Sequence, residues 1–494
     1  ELMLTHYGAA KVGGRQLQAR TLVESGSEVV RLYLMQDEAT RNEAGGHFDN
    51  PTYFQGIPIL VHEDVTQRAN FTVLVPNIDD EGNLGGVRYG LEDESTRLNL
   101  NALLSVDATV ENAGRDLLMG LPGMTEEIAD AILDWIDEDE EPREYGAESD
   151  YYQALDPPYL AKNAAFDTVE ELLLVRGVEP ALLFGTDTNR NGMVDPHEMD
   201  TQSLSGTGQA SASMTDMIDP LDGSMDRGWL GYLTLYSLER NVNSEGMPRI
   251  NLNMDDLEEL YESLSELLNE DWAKFIVAYR QYGPYDGNEE GKDVGFIDSI
   301  DPAQPAKETL TQVLDLIGKK VQVGSGDGGT VISPAFPETL AEMIVYMPVL
   351  MDNTTISDGP TIPGRININQ APRSMLLGIP GIDETVVDEI INERYLEASN
   401  DLDEAAHMNE TWIMTAGIVT LDEMKSLAPF VCAGGDVFRS QVVGYYEDGT
   451  TASRFEVIFD ATGAVPRIVS FRDISHLGRG YPLELLGVQL INDF

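Results

Sequence analysis

The sequence predicts an α+β fold in which a large, mostly helical segment is inserted between strands of one antiparallel sheet. Three observations support this prediction: helical spacing of apolar residues over residues 1–37, apolar alternation near both ends of the chain, and helical periodicity between them. Two or three early strands are marginal by themselves, so we expect them to join the late strands in one sheet packed on the N-terminal helix. The predicted parts are residues 1–97 (helix and first strands), 98–430 (inserted helical domain) and 431–494 (last strands and a tail).

Local patterns predict the individual elements. Leu17, Leu22, Val29 and Leu34 recur at roughly helical spacing and predict the N-terminal helix. Strands are predicted over residues 57–65, 70–75, 87–91, 437–446, 454–459 and 467–471. The late strands are separated by Glu447-Asp448-Gly449 and Ala461-Thr462-Gly463, which are hairpin signals.

Nearly the same phrase occurs three times in the inserted segment, and each copy opens a helical stretch. The copies are Arg97-Leu98-Asn99-Leu100-Asn101, Arg249-Ile250-Asn251-Leu252-Asn253 and Arg365-Ile366-Asn367-Ile368-Asn369. The first and third copies reach a Pro-Gly turn, at residues 121–124 and 379–382, and so resemble helix-hairpin-helix units of nucleic-acid-binding proteins. Acidic residues stand where a phosphate would lie and would repel it: Glu126, Glu127, Asp383 and Glu384. The hairpins are therefore predicted to be packing units.

Composition excludes several classes of function. The chain has 86 Asp plus Glu against 31 Lys plus Arg, a formal net charge of −55, whereas a nucleic-acid-binding protein needs a basic surface. An apolar fraction of 42% is sufficient for real cores. Cys432 is the single cysteine, so an intrachain disulfide is excluded. Six scattered histidines and the lack of nucleophile-elbow, P-loop and zinc-protease motifs predict that the protein is not an enzyme.

Residues 187–198 match the calcium loop of an EF-hand. Oxygen-bearing side chains occupy its first, third, fifth and ninth positions, glycine the sixth, a backbone carbonyl is available at the seventh, and glutamate is twelfth: Asp187, Asn189, Asn191, Asp195, Gly192, Met193 and Glu198. The alternative is a turn rich in Asn and Asp. Because the flanking helices are short, we expect a structural calcium clamp and not a sensor that opens.

A second acidic cluster follows the first hairpin. Asp137, Asp139 and Glu141 step by two residues, and Glu148 or Asp150 could complete a calcium site. On spacing alone, a solvated acidic loop is favoured. A third cluster, at residues 286–298, lacks EF-hand spacing and is interpreted as surface.

Several phrases together resemble the minor pseudopilin K family of bacterial type II secretion. They are the first Asn-x-Asn phrase continued to Leu104, Asp134-Trp135-Ile136-Asp137, Gly146-Ala147-Glu148, Tyr151-Tyr152, Pro157-Pro158-Tyr159, Lys162-Asn163, residues 166–177, and Ile366 through Pro372 with Pro380-Gly381. The resemblance implies a pilin-like fold, an N-terminal helix on an antiparallel sheet with an inserted helical domain. It also implies calcium in that domain, which favours Asp137, Asp139 and Glu148 as ligands.

The same resemblance implies a function. Members cap the tip of the periplasmic pseudopilus with the I and J minor pseudopilins, and exported proteins are a further class of partner. The inner-membrane anchor of the family would precede Glu1, so membrane contact is expected only through a helix absent from this chain. The departures are a long chain, a single cysteine where the family often has a disulfide, and additions at the EF-hand-like loop, the middle Asn-x-Asn phrase and residues 284–345.

Two alternative functions stay open at this point. A minor pilin or adhesin at the tip of a type IV pilus would share the pilin architecture. A free calcium-dependent protein-binding module would use the hairpins as its scaffold.

Overall fold

The computed structural model describes residues 2–193, 195, 196, 198, 227–285, 287, 294, 295, 297, 299–324, 329–394 and 407–488. Its strands are β1 (Ile57–Leu60), β2 (Ala69–Ile78), β3 (Leu84–Arg88), β4 (Glu92–Asp93), β5 (Leu98–Asn99), β6 (Leu233–Thr234), β7 (Leu238–Arg240), β8 (Ile250–Asn251), β9 (Val294–Gly295), β10 (Val321–Val323), β11 (Thr330–Ile332), β12 (Thr354–Thr355), β13 (Thr361–Pro363), β14 (Ile366–Asn367), β15 (Val431–Cys432), β16 (Val437–Tyr446), β17 (Ala452–Asp460) and β18 (Arg467–Asp473).

The α-helices are α1 (Leu2–Leu34), α2 (Glu38–Glu43), α3 (Pro51–Phe54), α4 (Leu103–Asp107), α5 (Ala113–Met119), α6 (Glu126–Ile136), α7 (Ser149–Gln153), α8 (Pro180–Phe184), α9 (Leu257–Leu267), α10 (Glu270–Tyr282), α11 (Leu340–Asn353), α12 (Arg373–Leu377), α13 (Glu384–Arg394), α14 (Trp412–Thr415) and α15 (Leu421–Leu427). Short 3-10 turns lie between them, including Val169–Leu174 and Val313–Leu316. In the described part of the chain, none of these helices combines the length and the apolar character needed to cross a bilayer.

The main sheet joins strands from both ends of the chain, as the sequence predicts. Its order is β1-β2-β16-β17-β18, all antiparallel, with β3 added to β2 and β4 added to β16. The central pairing of β2 with β16 places Val73 opposite Val442 and Phe71 opposite Gly444. Because β2 and β16 are more than 350 residues apart, this pairing closes the whole inserted segment into one loop of the sheet.

Helix α1 lies on one face of this sheet, and two glycines permit the close approach. A Cβ on Gly26 of α1 would lie 2.8 Å from side-chain carbons of both Phe71 and Val442. A Cβ on Gly444 of β16 would lie 2.4 Å from the carbonyl oxygen of Ala19. The interface is a core of large apolar side chains that includes Val23, Val30, Tyr33, Phe455, Val457 and Phe459. Gly26 therefore serves packing in the helix interior, where glycine otherwise destabilises.

The inserted segment leaves the sheet after β4 and returns to it at β16. These two strands are paired, with Asp93 opposite Phe438, so the ends of the insertion are neighbours. Buried ion pairs hold this junction: Arg439 Nε lies 2.5 Å from Glu94 Oε1, and Arg97 Nη2 lies 2.6 Å from Glu92 Oε2. The insertion has its own continuous apolar core, built on α5, α6, α10, α11 and α15.

The three Asn-x-Asn phrases form the same local structure. The side-chain oxygens of Asn99, Asn251 and Asn367 accept hydrogen bonds from the backbone amides two residues later, at 3.0, 2.8 and 2.8 Å. Each phrase also forms a short parallel pair with a later strand: β5 with β6, β8 with β12 and β14 with β15. The insertion is therefore organised around three copies of one unit.

The second asparagine of each phrase binds a distant segment. Asn101 and the backbone of Phe166 exchange two hydrogen bonds, at 2.8 and 3.1 Å. Asn253 and the backbone of Leu310 exchange two, both at 2.9 Å. Asn369 instead donates to two carbonyl oxygens and accepts from the Trp412 indole at 2.8 Å. The side chains thus replace backbone pairing where no sheet is present.

The helices that precede the two Pro-Gly turns contact each other at their ends. Gly123 and Gly381 have positive φ angles of 68° and 90°, which the tight turns between α5 and α6 and between α12 and α13 require. At the contact, a Cβ on Gly120 would lie 2.7 Å from the Cα of Gly378. The backbones at the ends of α5 and α12 are therefore in direct contact.

Candidate calcium sites

The first candidate site lies where α6 ends and the chain turns back toward α7. Asp134 is on the buried side of α6, and Asp137 follows the last helical residue as its C-cap. Glu148 precedes α7 and is only 5% exposed. Ligand oxygens of these three side chains all lie within 4.8 Å of one another.

Three carboxylate oxygens in this cluster are buried without a partner. Both oxygens of Glu148 and Oδ1 of Asp137 accept no hydrogen bond from any described residue. Burying carboxylate oxygens that accept no hydrogen bond is energetically costly. These three oxygens therefore need a bound cation or water. Calcium is held by about 6–8 oxygens, including carboxylates that bind through one or both oxygens. The residues present therefore fit calcium.

Arg143 and Gly146 shape the other side of the cluster. The Arg143 guanidinium donates to Asp137 Oδ2 at 2.6 Å and to Asp134 Oδ1 at 3.2 Å. A Cβ on Gly146 would lie 1.8 Å from Asp134 Oδ2, so only glycine fits against that carboxylate. These contacts orient Asp134 and Asp137 and neutralise part of their charge.

The electrostatics single out Glu148. Burial, together with the negative charges of Asp134 and Asp137, raises the pKa of Glu148 to about 7. Burial also raises the pKa of Asp134 and Asp137, while the Arg143 guanidinium opposes that rise. A divalent cation would relieve this repulsion between carboxylates.

The sequence identified part of this cluster. Of the five acids it proposes, the structure brings Asp137 and Glu148 together, while Asp139, Glu141 and Asp150 are exposed. Asp139 Oδ1 instead accepts a hydrogen bond from the backbone amide of Glu141 at 2.8 Å. The sequence analysis did not include Asp134 among the ligands. The feature that could have identified it is a charged residue among the consecutive buried residues 128–136 of α6.

The second candidate site is the EF-hand-like loop, in which Val194 and His197 lie outside the described residues. Asp187 Oδ1 and Oδ2 accept from the amides of Asn191 and Gly192 at 3.1 and 2.9 Å. Gly192 has a φ of 72°, as the sharp turn at the sixth position requires. The Glu198 carboxylate folds back on the loop and accepts from the amides of Thr188 and Asp195, each at 2.9 Å.

The remaining predicted ligands of the loop surround the same interior. Asp195 Oδ2 accepts from the side-chain amides of Asn189 and Asn191 at 2.7 and 3.1 Å. Oδ1 of Asn189 is buried without a hydrogen-bond partner among the described residues. Burial raises the pKa of Asp187 to about 6. The Met193 side chain packs against the apolar cluster that includes Leu74 and Tyr445, and its backbone carbonyl is the predicted contribution to the site.

The loop also contacts the main sheet. Arg454 Nη2 of β17 donates to the Asn189 carbonyl at 2.5 Å, and Gln441 Nε2 of β16 donates to the Arg190 carbonyl at 2.7 Å. The Asn191 side chain donates to the Gly480 carbonyl at 2.8 Å. A Cβ on Gly192 would lie 2.6 Å from Pro76 of β2. An ion in this loop would therefore sit at a junction of three chain segments.

Comparison with known proteins places the first site, but not the second, inside a recognised family segment. Residues 96–184 match the family model described as "Type II secretion system (T2SS), protein K". Type II secretion system protein K of Pseudomonas aeruginosa is 37% identical over 106 residues, which cover 20% of this chain and 31% of that protein. The Klebsiella pneumoniae protein of the same name is 33% identical over 100 residues, covering 20% and 29%.

A solved structure extends further along the chain at low similarity. The GspK-GspI-GspJ complex from the type 2 secretion system of enterotoxigenic Escherichia coli contains a chain that matches 96% of this chain and 99% of its own length, with 11% identity and a TM-score of 0.31. By sequence, this chain spans about a third of the length of the curated relatives it matches. The matched segment contains the resembling phrases between residues 98 and 177, and over residues 96–184 the chain is similar to protein K of the type II secretion system.

Proposed function

We propose that this protein is a minor pseudopilin that caps the tip of the type II secretion pseudopilus and supports protein export across the outer membrane. The similarity of residues 96–184 to protein K is the observation that carries this proposal. The proposed location is the bacterial periplasm, with an inner-membrane anchor in the full-length form. The proposed partners are the I-type and J-type minor pseudopilins, and exported proteins are further candidates.

The proposed fold is pilin-like, with helix-hairpin-helix-like units in the inserted domain. Helix α1 on the antiparallel sheet would pack into the filament, with residues 1–97 and 431–494 forming the pilin-like part and residues 98–430 the head. Support for the tip position comes from the size of the insertion, which is much larger than the sheet that carries it. A head of this size leaves room for filament subunits on one side only, which makes a cap and not a repeating unit. The role requires no catalytic residue.

We also propose calcium as the cofactor of the head. The first site would use Asp134, Asp137 and Glu148, and its support is the set of orphaned buried oxygens. The second would use Asp187, Asn189, Asn191, Asp195, Glu198 and the Met193 carbonyl, and its support is the EF-hand spacing. At both sites the ion would supply positive charge to crowded oxygens, while the chain's own residues hold the surrounding loops in place.

Partner assembly tests the proposed function. The chain is mixed with the periplasmic parts of the I-type and J-type pseudopilins from the same bacterium, and complexes are measured by size-exclusion chromatography with light scattering. We expect a stable complex that contains all three proteins. Leu32→Asp on α1 should weaken it at least tenfold, because Leu32 is 61% exposed and apolar on the helix proposed to face the filament.

Leu160→Asp is the matched control, since Leu160 is 60% exposed but lies in the proposed head. This variant should assemble normally. Assembly with minor pilins of a type IV pilus in place of the pseudopilins would contradict the proposal, as would a chain that binds neither set.

A further inference from the structure

Helix α11 has an apolar face on its outer side as well as on its inner side. Met343, Tyr346, Met347 and Leu350 are buried in the core of the insertion. On the other side, the exposed fractions are 46% for Leu340, 43% for Ile344, 73% for Val345 and 44% for Val349, and Ala341 is exposed beside them. Their spacing places these five residues on one side of the helix. We call this set the outer face of α11.

The outer face is unusual for this chain. On α9, which belongs to the same insertion, the exposed side carries mainly carboxylates: Glu258, Glu259, Glu262 and Glu266. That is the expected solvent face of a protein whose net charge is −55. Several exposed apolar residues on one face of a helix in such a protein point to a surface that a partner covers.

The charge around the outer face restricts the partner. Residues 321–364 contain neither Lys nor Arg. Exposed Glu338 and Glu342 border the first turn of α11, and Asp352 lies in its last turn. Among the described residues, no Lys or Arg forms an ion pair with Glu338 or Glu342. The Asp352 carboxylate accepts from Ser244, and Arg249 Nε donates to the Asp352 carbonyl at 3.1 Å. A second copy of this chain would bring the same acids into contact, and an anionic lipid surface would be repelled.

We propose that the outer face of α11 is a docking surface for a cationic amphipathic helix of a partner protein. The face spans ten residues along α11, or roughly 14 Å at the α-helical rise, which matches about two and a half turns of a partner helix. Apolar residues of the partner would pack on Ile344, Val345 and Val349 in the manner of helix-on-helix recognition. Its flanking Lys or Arg side chains would face Glu338 and Glu342. This surface is independent of the proposed pseudopilus role.

Synthetic peptides provide the test with the intact chain. The probe is a helical peptide with Leu on one face and Lys on the other, and two peptides accompany it: the same residues in scrambled order, and the Leu pattern with Glu in place of Lys. Binding is measured by isothermal titration calorimetry at about physiological ionic strength, where long-range charge attraction is screened. We expect the amphipathic Lys peptide to bind at least tenfold more tightly than either other peptide.

A double variant that carries both Ile344→Asp and Val345→Asp distinguishes apolar docking from general charge attraction. It adds two negative charges, so a simple charge attraction predicts tighter binding, whereas docking on the outer face predicts at least a tenfold loss. Leu267→Asp, at a 40% exposed leucine of α9, is the matched control and should leave binding unchanged. Circular dichroism checks that each variant is folded.

Three results would overturn the proposal. Equal or tighter binding by the double variant would show attraction by net charge alone. Binding of the Glu peptide as tight as that of the Lys peptide would remove the charge argument. Concentration-dependent self-association that the double variant abolishes would show that a second copy covers the face.

Discussion

At the scale of single residues, Glu148 is the most informative side chain. Its two buried oxygens have no partner among the described residues, and burial raises its pKa to about 7. Its role could be predicted only in part, because Asp137 and Glu148 stand in an acidic stretch whereas Asp134 stands inside an apolar helix. Spacing by two residues suits an extended loop, but the turn at Asp139 directs that side chain to the Glu141 amide. Local turn geometry therefore decides which acids meet.

If the first site binds calcium as proposed, the raised pKa of Glu148 should make that binding dependent on pH. Calcium binds the carboxylate, so one proton must leave when the pH is below about 7, and affinity should fall roughly tenfold per pH unit there. Calorimetric titrations at pH 5.5, 6.5 and 8 measure this fall. Glu148→Gln should remove the binding event, while Glu141→Gln, at an exposed acid of the same loop, should leave it unchanged. An affinity that does not change between pH 5.5 and 8 would contradict the assignment.

Without calcium, the Glu148 carboxyl should make the folded protein less stable as the pH rises, whereas calcium affinity should increase with pH. The folded-state pKa of Glu148 is raised above the ordinary value of a glutamate, so the folded state binds the proton more tightly than the unfolded state. Its contribution is therefore present below the unfolded pKa and is lost as the pH rises toward about 7. Calcium should abolish this loss because it stabilises the ionised form.

At the scale of elements, the repeated Asn-x-Asn phrase shows where prediction from sequence ends. The turn made by the first asparagine of each phrase is local, and Asn is a residue that favours such turns. The second asparagine forms hydrogen bonds with a distant backbone segment. These bonds join Asn101 to Phe166 and Asn253 to Leu310, which are 65 and 57 residues apart. A sequence shows the donor and acceptor groups but not which distant backbone they bind.

At the scale of elements, we predict that the EF-hand-like loop binds one calcium ion. Asp187→Asn with Glu198→Gln should reduce the number of bound calcium ions by one in native mass spectrometry, because two charged ligands are neutralised with little change in shape. Glu148→Gln is the control, because it should remove a different ion. At a calcium concentration about 100 times the dissociation constant, the lost binding corresponds to about 2.7 kcal/mol of stability.

The position of the loop on the sheet adds a second readout. Calcium should slow hydrogen exchange in residues 479–488 and in β17, since the loop contacts Gly480 and Arg454 directly. The double variant should lose this protection, and Glu148→Gln should retain it. An unchanged ion count in the double variant would contradict the loop as a calcium site.

At the scale of the whole molecule, the sequence predicts the architecture but not how the insertion packs on the main sheet. Periodicity shows helix and strand, and the need to complete a sheet joins the early strands to the late ones. The contacts that seat the EF-hand-like loop on the sheet join residues 251, 265 and 289 positions apart. They depend on the shapes of two finished surfaces, which no local pattern encodes.

The net charge of −55 governs how the whole molecule responds to salt. Repulsion among the surface acids destabilises the compact state, and monovalent salt screens it with a Debye length of about 8 Å at physiological ionic strength. Buried pairs such as Arg439 with Glu94 are screened much less. Sodium chloride should therefore raise Tm between about 10 and 150 mM, by roughly 2–4 °C for each kcal/mol gained if each unfolding unit behaves as a 150–250-residue domain.

Calcium should stabilise the protein by more than its screening of the surface charge. At matched ionic strength, calcium chloride should raise Tm more than sodium chloride does, because it also binds the two proposed sites. A variant that combines Glu148→Gln, Asp187→Asn and Glu198→Gln should keep the response to sodium chloride and lose the extra response to calcium, as measured by differential scanning calorimetry with magnesium chloride as a second divalent control. If magnesium matches calcium in the unaltered protein, or if the triple variant keeps the calcium increment, the stabilisation comes from general divalent screening, and the charge of the chain alone accounts for it.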